Sequence, residues 1–234
     1  MTTTESALIA LAPLDLAAML CSRVCHDVIS PVGAIVNGLE VLEDETDPGM
    51  RDVALDLIKR SAGGASAKLQ FCRLAFGAAG SVSASIDTGD AESVARGLLA
   101  TEKTSLTWKA PRQFLPKNKV KLLLNLCQIA QATIPRGGAL EVEVFGEGEQ
   151  ASLRVSSKGT NARLQAGFAD LLCGREGAAK VDAHCIQPYF AGLVARECGM
   201  IVTVDHGLEG FQFDAAPAPV PQAEPAGEAA ARAD

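Results

Sequence analysis

The sequence predicts an α+β fold in which an antiparallel helical hairpin precedes an α/β domain. In the first third of the chain, apolar residues recur at alternating spacings of three and four, which is the period of an amphipathic helix. Further along, short alternating runs typical of half-buried strands are interleaved with helical segments. The predicted parts are a flexible leader (1–13), a helical hairpin (14–78), a Gly/Ala/Ser-rich linker (79–85), an α/β domain (86–214) and a disordered Ala/Pro/Glu-rich tail (215–234).

The first helix is predicted over residues 15–43 and carries a lone histidine, His26. At about 100° per residue, His26 lies roughly 200° from both Val24 and Val28, which belong to the apolar stripe of this helix. We therefore expect the imidazole to face solvent, where it can react with another molecule. Pro31 cannot donate a hydrogen bond to the carbonyl of Asp27, so a bend is expected just after the histidine.

A second stripe on the same helix consists of small or short polar side chains at helical spacing around His26. A solvated face usually carries Lys and Glu, so this stripe predicts a surface kept clear for a partner protein. The residues of this predicted docking stripe are Ser22, Ser30, Gly33 and Asn37.

The second helix is predicted over residues 50–77, again with one apolar face. One helical hairpin cannot cover its own apolar stripes, whereas two hairpins packed together form a four-helix bundle with a shared core. We therefore expect a homodimer through residues 14–78. The alternative is that the hairpin packs on the second domain of its own chain.

Composition favours a cytoplasmic protein with protein partners. The net charge of −7 and the pI near 5.1 argue against nucleic-acid binding, which needs a basic face. Seven scattered cysteines without a C-x-x-C pair suit a reducing compartment, and they predict no metal site. The apolar segment 7–20 is broken by Pro13 and Asp15 and lacks a basic leader, so neither a signal peptide nor a membrane span is expected.

The second half of the chain is expected to form an α/β sandwich. Its predicted elements are a strand near Ile86, a helix over 90–99, a strand over 106–108, a helix over 117–133, a hairpin of strands over 140–145 and 151–155, a helix over 185–198, and strands over 201–204 and 211–213.

A hairpin bearing His26-Asp27-x-x-x-Pro31 ahead of such a domain resembles a sensor histidine kinase. The run 123–130 is similar to the kinases' N box, and 210–213 is similar to their last strand. The resemblance implies a dimeric four-helix bundle for histidine phosphotransfer, followed by a Bergerat-type, histidine-kinase ATPase-like domain.

The positions that bind nucleotide in that family are mostly replaced. Ile129 stands where the second N-box asparagine would reach Mg²⁺, and it offers no oxygen ligand. The run 157–161 lacks the adenine-reading aspartate, and 188–193 replaces a glycine-rich phosphate stretch with bulkier residues. We therefore expect no ATP and no other cofactor in this chain.

A kinase-like dimer that keeps the histidine but loses the nucleotide site resembles the ChpT-type histidine phosphotransferases of bacterial phosphorelays. The segments 16–20, 25–31, 37–43 and 73–78 carry this resemblance. It implies a two-component signalling role in cell-cycle regulation, with transfer from the receiver domain of a hybrid histidine kinase to CtrA-like and CpdR-like response regulators. His26 would be the nucleophile, Asp27 would orient or deprotonate its ring, and the receiver would supply Mg²⁺.

Two other functions remain open at this point. One is a divergent ATP-dependent histidine kinase, and the other is a non-enzymatic dimeric adaptor whose kinase-like domain only binds a protein.

Overall fold

The computed structural model describes residues 10–77, 84–175 and 181–219. Helices and strands follow in an order that confirms a mixed α+β chain with its long helices first. The helices are α1 (Pro13–Asp44), α2 (Pro48–Ala75), α3 (Thr88–Leu99), α4 (Lys117–Ala132), α5 (Phe168–Cys173) and α6 (Ile186–Glu197), and the strands are β1 (Ser85–Asp87), β2 (Thr104–Trp108), β3 (Phe114–Pro116), β4 (Gly138–Phe145), β5 (Ser152–Lys158), β6 (Met200–His206) and β7 (Gly210–Pro217).

Helices α1 and α2 form a closely packed antiparallel hairpin. The turn is fixed by Asp47, whose side chain accepts a hydrogen bond from the backbone N–H of Gly49 at the start of α2. Gly38 of α1 is buried, and a Cβ at this position would lie 2.7 Å from Cγ1 of Ile58. The absence of a side chain at position 38 therefore allows the two helices to approach closely.

The second half is built on a five-stranded sheet in the order β2-β4-β5-β7-β6. Strands β2 and β4 pair in parallel, and the other neighbours are antiparallel. Helix α4 packs on this sheet and buries nearly its whole length, including Leu123, Leu126 and Cys127. A separate two-stranded pairing of β1 with β3 lies beside α4.

The hairpin contacts the second half near the end of α2 and near the start of α1. Phe71 and Ala75 near the end of α2 are fully buried in the main core. Near the start of α1, Leu16 and Leu20 pack against the cluster around Tyr189, whose hydroxyl oxygen accepts a hydrogen bond from the backbone N–H of Leu11 at 3.0 Å. One end of the hairpin therefore packs on the second domain of its own chain, which is the alternative to packing in a dimer.

The other end of the hairpin exposes large apolar side chains in the single chain. Val53 is 59 % exposed, and Val36 and Leu39 are each 48 % exposed. α1 is long and apolar enough to cross a membrane by length and composition, and no residue of its most apolar window is buried. The same helix carries Asn37 and Glu40 on its surface, so it is not apolar all round.

Several elements differ from the sequence prediction. The prediction omitted β3, α5 and a short 3-10 helix (Gly148–Gln150), because segments of three to six residues show no measurable periodicity. The sequence predicts the last strand over 211–213 and a disordered tail from 215, whereas β7 spans Gly210–Pro217. Ala215 pairs with both Leu153 and Val202 and is buried. The predicted leader, linker and tail lie largely in 1–9, 78–83 and 220–234, outside the described residues, and the domain boundaries remain a prediction.

Candidate functional site

His26 lies on the exposed surface of α1, as the phase of the apolar stripe predicts. Its side chain is 85 % exposed, whereas Val24 and Val28 on either side are half-buried. An imidazole this exposed can be approached by an atom from another molecule without rearrangement of the hairpin. The prediction that His26 faces solvent is therefore confirmed.

Asp27 is held by an arginine one turn earlier on the same helix. Nε of Arg23 donates a hydrogen bond to Oδ2 of Asp27 at 3.1 Å, and the Asp27 side chain is only 19 % exposed. Nδ1 of His26 lies 3.8 Å from Oδ1 of Asp27, which is longer than the hydrogen-bond limit of about 3.2 Å. Asp27 thus lies beside the ring while its carboxylate is oriented by Arg23, and its role toward the imidazole remains a prediction.

The predicted docking stripe is largely accessible. Ser22, Ser30 and Asn37 are exposed, and Gly33 is half-buried but has no atom within 4 Å of where a Cβ would stand. Next to this stripe lies Ile29, which is 70 % exposed. The sequence analysis did not include this residue, although its position three residues after His26 places it on the same side of the helix.

A second residue that the sequence analysis missed comes from α2. Nζ of Lys68 donates a hydrogen bond to the backbone carbonyl oxygen of Asp27 at 2.7 Å. Lys68 and Asp27 also line a cavity of about 240 Å³, together with Cys72 and with Gln128 of α4. Burial, followed by the nearby Asp27 carboxylate, raises the pKa of the Cys72 thiol, so this cysteine remains a neutral thiol at physiological pH.

Arg23 also faces a larger cleft between α1 and the second half of the chain. This cleft has a volume of about 570 Å³, and its wall includes Lys103, Gln128 and His184. The amides of Gln128 and Gln187 are hydrogen-bonded to each other across it. Helix α1 therefore borders a polar cleft, although the imidazole itself points to solvent.

Side chains at the positions that the sequence analysis compared with a kinase nucleotide site have structural roles here. Ile129 is 3 % exposed and belongs to the main core. The Ser157 hydroxyl lies 2.7 Å from the Thr133 hydroxyl and accepts a hydrogen bond from the backbone N–H of Phe211. Both partners of the Ser157 hydroxyl thus belong to this chain. Asn125, in the run that is similar to an N box, donates from Nδ2 to the carbonyl oxygen of Ala75 at the end of α2. These side chains are thus committed to packing and to the connection with the hairpin.

Metal-binding side chains do not cluster in the part of the chain that the structure describes. Within 10–77, 84–175 and 181–219, no group of three or more His, Cys, Asp or Glu residues is placed to hold an ion. Cys21 and Cys25 are exposed, whereas Cys127 is fully buried. Burial raises the pKa of Cys127 to about 12.

Comparisons with known proteins give one consistent result. Residues 88–210 match the family model for the histidine phosphotransferase C-terminal domain. Protein phosphotransferase ChpT of Brucella abortus (strain 2308) is 48 % identical over 207 residues, which cover 88 % of this chain and 98 % of the relative. A solved bacterial phosphotransferase superposes with a TM-score of 0.80 at 47 % identity, covering 89 % of this chain and 100 % of the other.

Proposed function

This chain belongs to the family of ChpT-type histidine phosphotransferases, and we propose that it carries a phosphoryl group between receiver-domain aspartates through a phosphohistidine at His26, without binding ATP. The observation that carries the proposal is the 85 % exposed imidazole of His26, next to an aspartate that Arg23 holds in place.

The proposed reaction is a reversible transfer between an aspartate and a histidine. A ring nitrogen of His26 attacks the phosphorus of the receiver's aspartyl phosphate. The N–P bond forms as the acyl-phosphate P–O bond breaks, and the receiver's carboxylate leaves. Nδ1 is the ring nitrogen that lies near Asp27, at 3.8 Å, so we assign the attack to Nε2. A second receiver then accepts the group by the reverse step.

Charge neutralisation during transfer is assigned to the partner. Phosphoryl transfer depends on in-line positioning and on cations beside the moving group. The carboxylate nearest His26 is Asp27, which is already engaged with Arg23 and therefore is a poor Mg²⁺ ligand. We propose that the receiver domain contributes the Mg²⁺ together with its phosphorylated aspartate.

The proposed active form is a homodimer in which two hairpins make a four-helix bundle. The exposed apolar side chains of α1 and α2, among them Val36, Leu39 and Val53, would be covered by the partner hairpin. A two-fold axis along the bundle would leave both copies of His26 on the outside, one on each flank.

The proposed absence of ATP binding is supported by the side chains at the positions that would bind nucleotide in a kinase, because these side chains are buried or already hydrogen-bonded within the chain. Ile129 is buried and has no oxygen to offer a hard cation. Ser157 already has hydroxyl and backbone partners. Pro188 lies in the buried part of α6, where it cannot supply the backbone N–H that a phosphate needs.

The proposed partners are the receiver domain of a hybrid histidine kinase as donor and CtrA-like or CpdR-like receivers as acceptors, all in the cytoplasm. We place the receiver on the docking stripe around His26, where Gly33 leaves room for a packed helix. The exposed side chain of Ile29 would add apolar contact beside it.

Transfer is tested with a receiver domain carrying a labelled aspartyl phosphate. The parent protein should acquire label that is lost in acid and retained in base, as a phosphoramidate is, whereas His26→Ala should acquire none. If His26→Ala is labelled as well as the parent, the proposal is overturned. If neither is labelled while the receiver still binds, the adaptor function is favoured instead.

Nucleotide binding distinguishes the proposed phosphotransferase from the kinase alternative. Calorimetric titration with ATP and Mg²⁺ should give no binding in the micromolar range, and incubation with labelled ATP should leave His26 unmodified. Micromolar affinity for ATP, or labelling from ATP, would favour a divergent kinase over the proposed phosphotransferase.

A further inference from the structure

Pro31 creates a specific backbone defect beside the histidine. Within α1, the carbonyl of Asp27 would normally accept a hydrogen bond from the N–H of the residue four positions later. That residue is Pro31, which has no N–H. Because an unpaired carbonyl is unfavourable where water has little access, a donor from elsewhere is needed to satisfy it.

Lys68 supplies that donor from the other helix of the hairpin. Its Nζ lies 2.7 Å from the Asp27 carbonyl oxygen, across 41 positions of sequence, in a partly buried setting. Leu98 and Cys72 line the same small cavity, so the ammonium is partly shielded from water. A hydrogen bond from a charged donor in such a setting is stronger than one between neutral groups.

Asp27 is therefore held at two points by two basic side chains. Lys68 binds its main chain, and Arg23 binds its carboxylate at 3.1 Å. His26 directly precedes Asp27 in the chain. The restraint of Asp27 by Lys68 and Arg23 therefore also limits the movement of the His26 backbone. The imidazole itself is 85 % exposed and has little packing of its own to fix its direction.

We propose that Lys68 is a positioning residue for phosphoryl transfer: its ammonium replaces the hydrogen bond that Pro31 removes from the Asp27 carbonyl, and it thereby fixes the backbone from which His26 attacks. The proposal rests on the proposed function and adds a named residue to the same site. In-line attack is sensitive to small displacements of the nucleophile, which is why a backbone restraint affects the rate.

The proposal predicts a dependence between positions 31 and 68 that a double-mutant cycle measures. Lys68→Met keeps the length of the side chain but removes the donor, and it should slow transfer from a phosphorylated receiver roughly tenfold. Pro31→Ala restores a backbone N–H for the Asp27 carbonyl. In the Pro31→Ala background, Lys68→Met should therefore slow transfer no more than about twofold.

An equal loss in both backgrounds overturns the proposal, because Lys68 would then act as a charge or through general stability. Lys68→Arg keeps a cationic donor and should recover most of the parent rate, whereas no recovery counts against the hydrogen bond. Lys59→Met on the exposed face of α2 is the matched control and should transfer at the parent rate.

A second readout does not require transfer at all. The carbonyl ¹³C chemical shift of Asp27 in the unphosphorylated protein should move in Lys68→Met and should not move in Lys59→Met. An unchanged shift overturns the proposal on structural grounds. If the parent never acquires label at His26 but the Asp27 shift still responds to Lys68→Met, the proposed function has failed while the Lys68 bond stands.

Discussion

Arg23 holds the carboxylate of Asp27 through a hydrogen bond of 3.1 Å one helical turn away, on the same helix as His26. The two side chains are 27 % and 19 % exposed, so the pair is only partly solvated. An ion pair of this kind contributes about 0.2–1 kcal/mol. The bond from Arg23 fixes the direction of the carboxylate that lies next to the imidazole.

We predict that Arg23→Met slows transfer from a phospho-receiver about two- to fivefold, since loss of up to about 1 kcal/mol of restraint corresponds to such a factor. Single-turnover kinetics at saturating receiver measure this step apart from binding. Arg60→Met, on the exposed surface of α2, is the control. A normal rate in Arg23→Met would show that the orientation of Asp27 does not matter for transfer.

The docking stripe is tested at Gly33, where nothing lies within 4 Å of the position of a Cβ. Gly33→Leu should fold normally, because the intramolecular space is open and leucine favours a helix over glycine. It should weaken receiver binding about tenfold, as a bulky side chain costs roughly 1–3 kcal/mol in a packed contact. Receiver titrations by calorimetry measure the change.

Gly63→Leu on α2 provides the matched control, because a Cβ at that position also meets nothing within 4 Å. It should bind the receiver like the parent. Unchanged binding and transfer in Gly33→Leu would exclude the stripe as the docking surface.

Much of the fold could be predicted from hydrophobic periodicity. The apolar stripe that contains Val24 and Val28 predicted that His26 points to solvent, because residues two positions apart on a helix lie on nearly opposite faces. The pairing of Arg23 with Asp27 was also accessible, since residues four apart on a helix are neighbours.

The contacts between distant segments could not be predicted in this way. Lys68 lies among other basic residues of α2, and no local pattern distinguishes the lysine that reaches Asp27. In the same way, no local pattern indicates that Nδ2 of Asn125 binds the carbonyl oxygen of Ala75, some 50 positions earlier. Such contacts depend on how the hairpin packs on the second half of the chain, which periodicity does not encode.

The Asn125–Ala75 hydrogen bond is predicted to stabilise the junction between the hairpin and the second half. Asn125 is fully buried, and its Nδ2 lies 3.0 Å from the Ala75 carbonyl oxygen. Asn125→Ala leaves that buried carbonyl without this partner, which should lower the free energy of unfolding by about 1–3 kcal/mol. Urea denaturation measures the loss, with Asn118→Ala on the same helix as the control. Equal stability of the two variants would contradict a structural role for Asn125.

The homodimer is tested on the exposed apolar face of the hairpin. Val53 is 59 % exposed in the single chain, and burying an aspartate at this place in a bundle core would be strongly unfavourable. Val53→Asp should therefore halve the molar mass that light scattering measures at micromolar concentration. Leu208→Asp, at a fully exposed position in the second half, should leave the mass unchanged. A parent protein that is already monomeric would contradict the four-helix bundle.

The hydrogen bonds of Asp87, at the start of α3, predict how the stability of the protein depends on pH. Its carboxylate accepts hydrogen bonds from the backbone N–H of Gly89 at 2.8 Å and from Nε of Arg112 at 2.9 Å. These two bonds, that of Gly89 first, lower the pKa of Asp87 below its ordinary value of 3.8. The stabilisation is therefore fully present above the ordinary pKa and is lost as the pH falls through the lower, folded-state pKa.

Asp87→Asn should consequently lower the melting temperature at pH 7, and the difference from the parent should shrink as the pH is taken below about 4. Thermal unfolding monitored by circular dichroism between pH 7 and pH 3 measures the two curves. Asp52→Asn on the exposed surface of α2 is the control and should follow the parent at each pH. A constant difference between Asp87→Asn and the parent across this range would mean that the carboxylate charge is not what stabilises the start of α3.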